Sequence, residues 1–279
     1  MGKVGKGLGY YSDIGRKTKD LLTKDYTYDQ KFIVSTTTES GLTFTTRGAK
    51  HRNAFFGDVT TSFKNKNITT ELKVDTQSNI FATVVVDDCA PGAKAVFSFT
   101  IPDHHSGKIE LQYCHEYGSV TGGIGLTSSP IVEATGCVGS DGFAFGGEMA
   151  FDTALGCLTK YNAAVGFTKP DFSASLIVAD KGDLLKASYL HTVSPTTKTT
   201  VAAEIAHKIS KNENTFTVGG LYELDTITML KTRMNNHGKL AALLQHEWRP
   251  KSLLTISGEV DTKALDKHAK IGLAFSLKP

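Results

Sequence analysis

Through most of the chain, apolar residues recur at every second position. In "KIGLAFSLKP", Ile271, Leu273, Phe275 and Leu277 alternate with Gly272, Ala274 and Ser276. A period of two sends the first set to one face of a β-strand and the second to the other. In "KIELQYCHEYG", Ile109, Leu111, Tyr113 and Tyr117 oppose Lys108, Glu110, Gln112 and Glu116, and in "LTISGEVD", Leu254, Ile256 and Val260 oppose Thr255, Ser257, Glu259 and Asp261. The same strip recurs in "ITTELKVD", "KAVFSFTI", "FAFGGEMAFD", "YNAAVGFT", "FSASLIVAD", "TVAAEIAHKI" and "FTVGGLYELD". Turn signals separate the strips, among them Asn65 to Asn67, Pro91-Gly92, Ser106-Gly107, Asp141-Gly142, Lys211 to Asn214 and Asn235 to Gly238. From Lys31 to the end this predicts about eighteen or nineteen strands in one antiparallel meander.

So many strands decide which face is wet. Eight to ten strands fill a soluble core with their apolar faces, but a barrel about twice as wide encloses more space than side chains can fill. The lumen of such a barrel is water and its apolar face meets lipid, where only a closed sheet satisfies every backbone N–H and C=O. Strips of about nine to eleven residues suit a tilted bilayer crossing. The opposite face, rich in Thr, Ser and Gly with charges at intervals, suits a wetted wall. Tyr113, Tyr117, Tyr161, Tyr189, Tyr222 and Trp248 lie towards strand ends, where interfacial girdles place aromatic residues. A soluble lipid-binding β-barrel is the competing reading of the same alternation.

One stretch breaks the period. From Ser12 to Lys24 a spacing of 3.6 fits better, with Ile14, Thr18, Leu21 and Leu22 on one face and Asp13, Arg16, Lys19, Asp20 and Thr23 on the other. This predicts an amphipathic helix of about three turns, N-capped by Ser12 and too short to persist alone. Its seat is the lumen, the membrane surface or nowhere, if it is cleaved. "GKGLG", from Gly5 to Gly9, reads as a flexible tether.

Composition narrows the classes. The chain has 279 residues, 40% hydrophobic and 21% charged, and a mean hydropathy of −0.15. No run of about 18 apolar residues offers a spanning helix, and no linker marks a second domain. The start "MGKVGKGLGYYSDIG" has no apolar signal core, so a cleaved secretory leader is not expected. Gly2 is followed by Lys6 where a myristoylation motif needs Ser or Thr, so no acyl anchor is expected either. Cys89, Cys114, Cys137 and Cys157 lack the paired spacing of zinc or redox motifs and read as reduced thiols. His104 and His105 diverge in a turn without a third ligand nearby. "GSVTGGIGLT" lacks the glycine spacing of a dinucleotide loop. With no nucleophile elbow or carboxylate pair, no enzyme, metal or cofactor is expected.

Charge is unevenly placed. Residues 1 to 31 hold seven Lys and Arg against four Asp, a net of +3 that equals the whole chain's, and the remainder balances at twenty-four against twenty-four. With the helix in the pore, Arg16, Lys19 and Lys24 sit where positive charge favours anions. The alternation adds Lys73, Lys94, Lys108 and Lys208 as lumenal positions, while Ile14 and Leu21 dock the helix on the wall. Lys231 and Arg233 share their parity with Ile227 and Met229, which leaves their face open.

End to end, the sequence resembles the voltage-dependent anion channels of the mitochondrial outer membrane, plant members above all. The resemblance rests on "YYSDIGRKTKDLLTKDY", "GLTFTTRG", "GFTKPDFSASLIVADKGDLLKASYLHTVS" and "GGLYELDTITMLKTRMNNHGKLAALLQHEWRPKSLLTISGEVD". It implies an all-β transmembrane barrel of about 19 strands over residues 31–279, closed by a parallel pairing of the first and last strands. That family is a standard example of an odd-stranded barrel. The resemblance likewise implies that residues 1–30 are the helical segment inside the pore. It also implies a voltage-dependent, weakly anion-selective channel for ATP, ADP, phosphate and other small solutes, inserted without a leader, with the closing strand as an insertion signal. The partners implied are the lipid bilayer, inorganic anions, anionic metabolites including nucleotides, further copies of the chain and cytosolic kinases. Nothing in the sequence indicates specificity for nucleic acid. The related protein-import barrel is the alternative, for which a longer amino-terminal extension is expected.

Overall fold

The computed structural model describes residues 9–51, 54–103, 105–194, 197–263 and 269–278. Among them, nineteen strands follow one short helix, α1 (Arg16–Thr23). The first seven are β1 (Gln30–Thr37), β2 (Leu42–His51), β3 (Ala54–Asn65), β4 (Ile68–Asp75), β5 (Ile80–Ala90), β6 (Ala93–Ile101) and β7 (Lys108–His115). The next six are β8 (Gly118–Gly125), β9 (Ile131–Ser140), β10 (Phe143–Asp152), β11 (Cys157–Thr168), β12 (Phe172–Ala179) and β13 (Leu184–Ser194). The last six are β14 (Thr199–Lys208), β15 (Glu213–Asp225), β16 (Thr228–Asn235), β17 (Lys239–Arg249), β18 (Ser252–Asp261) and β19 (Lys270–Leu277).

Each strand pairs antiparallel with the next, and β1 closes the ring by pairing parallel with β19, Phe32 beside Phe275. The two rings stack with centroids 6.0 Å apart. Closure leaves no sheet edge, as a barrel in hydrocarbon requires. Short hairpins follow from residues that accept positive φ. At Asp141 and Gly142 (φ 51° and 88°) a Cβ on the glycine would sit 2.5 Å from the Thr168 carbonyl oxygen, so only glycine fits.

The outward face carries the large apolar side chains. In β19, Ile271 is 73% and Leu273 45% exposed, while Gly272 between them is buried. Facing positions in β7, β8 and β10 repeat this with Leu111, Val120 and Phe145. All six aromatic residues expected near the interface, Tyr113, Tyr117, Tyr161, Tyr189, Tyr222 and Trp248, are exposed. The inversion follows from chain geometry: exposed apolar area of this extent is stable only against lipid.

A buried apolar cluster lies inside, where Leu21 and Leu22 of α1 meet Leu190, Ala202 and the half-buried Leu221 on the inner faces of β13, β14 and β15. Thr18 completes the docked face and is 1% exposed. At Gly219 a Cβ would lie 2.6 Å from Leu22 Cδ2, so the bare backbone makes room for the leucine. The helix is shorter than the three turns expected, and Ser12 does not cap it. Residues Tyr11–Asp13 form a separate 3-10 turn, the Tyr10 N–H donates to Asp13 Oδ2 at 2.9 Å, and Gly15 at φ 73° breaks the path before Arg16. A Cβ on Gly15 would meet Ser175 Oγ at 2.6 Å, so close approach to the wall dictates the break.

Candidate functional site

The site is the lumen with α1 against one wall. Register places Lys73, Lys94, Lys108 and Lys208 on the inward face, as their parity predicts. Three of the four are matched by carboxylates on the same strand or one or two strands away. Lys73 lies 3.8 Å from Asp58, Lys94 3.4 Å from Asp87, and Lys108 2.5 Å from Glu133 and 3.9 Å from Glu110. Lys73 also lies 5.7 Å from the centre of the Phe81 ring. Lys160 with Glu148 (2.6 Å) and Lys186 with Glu204 (3.6 Å) extend the pattern. Half-wetted pairs of this kind add little stability but cancel charge along the wall.

The helix segment differs. Arg16 pairs with Asp13 at 3.0 Å and approaches Asp20 at 3.9 Å, so its charge is partly balanced within its own segment. Lys17, Lys19, Lys24 and the wall's Lys208 have no carboxylate within ion-pair distance among the described residues. Lys17 was not among the residues singled out from the sequence. Arg16 and Lys19 line a recess of about 710 Å³ between the helix and the wall, with Glu110, Glu133, Glu148 and Glu204 opposite. Ile14 faces Gly166, where a Cβ would lie 3.1 Å from its Cγ2, and Leu21 is 6% exposed against the wall. Gly9 accepts a hydrogen bond from Ser119 Oγ at 2.8 Å, and the rest of the proposed tether, Gly5 to Leu8, lies outside the described residues, as does His104.

Residues that the sequence left unassigned fasten the connector between α1 and β1. Both Lys231 and Arg233 of β16 point inward. Arg233 donates to the Leu22 carbonyl at 2.9 Å and to the Tyr28 hydroxyl at 2.7 Å, and pairs with Glu259 at 3.2 Å. Its guanidinium stacks 4.5 Å from the centre of the Tyr26 ring. Lys231, 7% exposed, reaches Asp25 at 3.2 Å. The Tyr28 hydroxyl donates to Glu259, and Ser257 Oγ donates to the Thr27 carbonyl. That carbonyl also packs directly over Gly272, where no side chain would fit. Burial pushes the Tyr26 and Tyr28 phenols up to about 12, and for Tyr28 the bond to Glu259 acts in the same sense. Parity with Ile227 and Met229 was ambiguous because Met229 is itself lumenal, opposite Glu223.

A closed ring of nineteen strands, greasy outside and lined within by largely matched charges, with a short helix laid along its inner wall, is a transmembrane β-barrel pore. The chain belongs to the eukaryotic porin family, whose sequence model matches residues 7–272. It is 54% identical over 274 residues to the mitochondrial outer membrane protein porin of 36 kDa from Solanum tuberosum, covering 98% of this chain and 99% of that one. Mitochondrial outer membrane protein porin 1 of Arabidopsis thaliana is 51% identical over 98% of this chain and 99% of its own. The outer plastidial membrane protein porin of Pisum sativum is 53% identical with the same coverage. The chain is thus a channel and not an enzyme, and its kin place it in the mitochondrial outer membrane.

Proposed function

We propose that this porin is a voltage-dependent, weakly anion-selective diffusion channel that passes inorganic ions and small anionic metabolites such as ATP, ADP and phosphate. The observation that carries the reading is the contrast between a wall on which Lys73, Lys94, Lys108, Lys160 and Lys186 are matched by carboxylates and a helix segment whose Lys17, Lys19 and Lys24 have no partnering carboxylate among the described residues. Fixed positive charge raises the local concentration of anions. In a wide pore its reach is limited to the Debye length, about 8 Å at physiological salt, so the preference is modest. A membrane potential works on any mobile part of this charge at about 2.3 kcal/mol per charge per 100 mV, which supplies voltage dependence.

The test is a planar-bilayer recording in a salt gradient. Wild-type protein should give a reversal potential on the anion side and a conductance that changes with voltage. Replacing Arg16 and Lys19 together with Glu shifts the reversal potential towards cations. An unshifted reversal potential overturns the role given to the helix charges, and a conductance independent of voltage overturns the gating.

A further inference from the structure

The outward wall is almost free of charge. Apart from the bulged strand ends, register sets a single Lys, Arg, Asp or Glu of the described strands on the lipid-facing side, and that residue is Lys50, the penultimate residue of β2. Its cross-strand neighbours are Gln30 on β1 and Phe55 on β3, and Leu273 on β19 lies next in the same row. Lys50 is exposed and has no carboxylate within ion-pair distance among the described residues. A lysine on this face is costly at the bilayer centre and tolerated near the rim, where its ammonium can reach a headgroup.

Beside Lys50 runs a groove of about 680 Å³ on the outer surface, walled by Phe32, Phe55, Val59, Val74 and Phe275. Its floor contains the directly paired Gly48 and Gly57 of β2 and β3. Glycine at both positions sinks the surface, and Phe55, 70% exposed, stands over one side. The result is a long apolar slot with Lys50 as the one cation on its outward-facing lining; Lys31, Arg47, Asp58 and Asp75, which also border it, have inward register.

We propose that this slot binds one anionic phospholipid, its phosphate against Lys50 and an acyl chain along the phenylalanine walls. Charge complementarity selects the occupant: a second copy of the chain would have to bring an outward carboxylate to Lys50, and away from the bulged strand ends the described outward face has none. A zwitterionic lipid fits the slot but gains less from the ammonium. The inference is independent of the channel's ion preference.

Native mass spectrometry of the full chain released from vesicles of phosphatidylcholine and phosphatidylglycerol tests it. Wild-type protein retains one phosphatidylglycerol, preferred over phosphatidylcholine by about fivefold, the value of one lysine near a headgroup surface. Lys50→Gln abolishes the preference, Lys50→Arg keeps it, and Lys186→Gln, on the inward face of β13 and away from the slot, leaves it intact. Gly48→Leu fills the floor and reduces retention of both lipids. A preference surviving in Lys50→Gln, equal retention of both lipids by wild type, unchanged retention in a Gly48→Leu protein that still conducts, or displacement by inorganic phosphate alone would each overturn the proposal.

Discussion

Replacing Arg233 with Gln should free the amino-terminal segment from the wall. The guanidinium serves the Leu22 carbonyl, the Tyr28 hydroxyl, Glu259 and the Tyr26 ring at once. Hydrogen bonds to a charged group contribute roughly 1.5–3 kcal/mol each in isolation, but the contacts share one side chain and the lumen admits water, so they do not add. Breaking a largely buried ion pair costs about 3 kcal/mol; the two side chains are 23% and 11% exposed, and Lys270 at 3.5 Å still serves Glu259. A loss of about 3 kcal/mol raises the undocked population on the order of a hundredfold. Trypsin cleavage after Lys24 reports that population, because a protease samples the open form when opening and closing are fast. Arg233→Gln should therefore be clipped on the order of a hundred times faster than the parent protein, and Arg233→Lys, which keeps the charge but not the fork, should fall between. Cleavage of Arg233→Gln at the parent rate would refute the reasoning, since the connector would then be held by something else.

Two further outcomes follow from the same region. Leu22→Ala removes a side chain that is 2% exposed and should weaken helix docking by about 3 kcal/mol; faster amide hydrogen exchange across Arg16–Thr23, with barrel strands unchanged, is the readout. The raised phenols make docking alkali-sensitive: an undocked connector loses its tyrosine protons near the ordinary value of 10, whereas the docked one holds them to about 12. Docking is thus at full strength below pH 10 and is lost as pH climbs through about 12. An absorbance titration of the phenolate should show a late component that Tyr28→Phe diminishes, and a Tyr28 that titrates near 10 would contradict its burial.

The barrel was legible because its physics is periodic. Strict alternation in strips such as Ile109–Leu111–Tyr113 marks two faces, and their number excludes a filled interior, so strand count and face inversion both follow from pattern. The lumenal lysines at 73, 94, 108 and 208 came from the same rule. Their charge balance did not, because Lys108 meets Glu133 only through the pairing of β7, β8 and β9 in space. The helix face of Thr18, Leu21 and Leu22 was readable from its period, while the break at Gly15 depends on Ser175, which is remote in sequence. Arg233 and Lys231 were unreadable for a related reason: their partners in the helix and the connector, Leu22, Tyr28 and Asp25, are about two hundred positions away. Where the alternation is clean, local pattern reveals which way a side chain faces, but it is silent on which distant neighbour that side chain meets.

The parallel seam of β1 and β19 carries a consequence for biogenesis. The first strand made can satisfy one row of its amide groups only with the last strand made, so during synthesis no lipid-compatible intermediate exists with all of its strands sealed. The ring cannot seal until β19 is in place, and a chain lacking β19 would present β1 and β18 as raw margins that invite pairing with foreign strands.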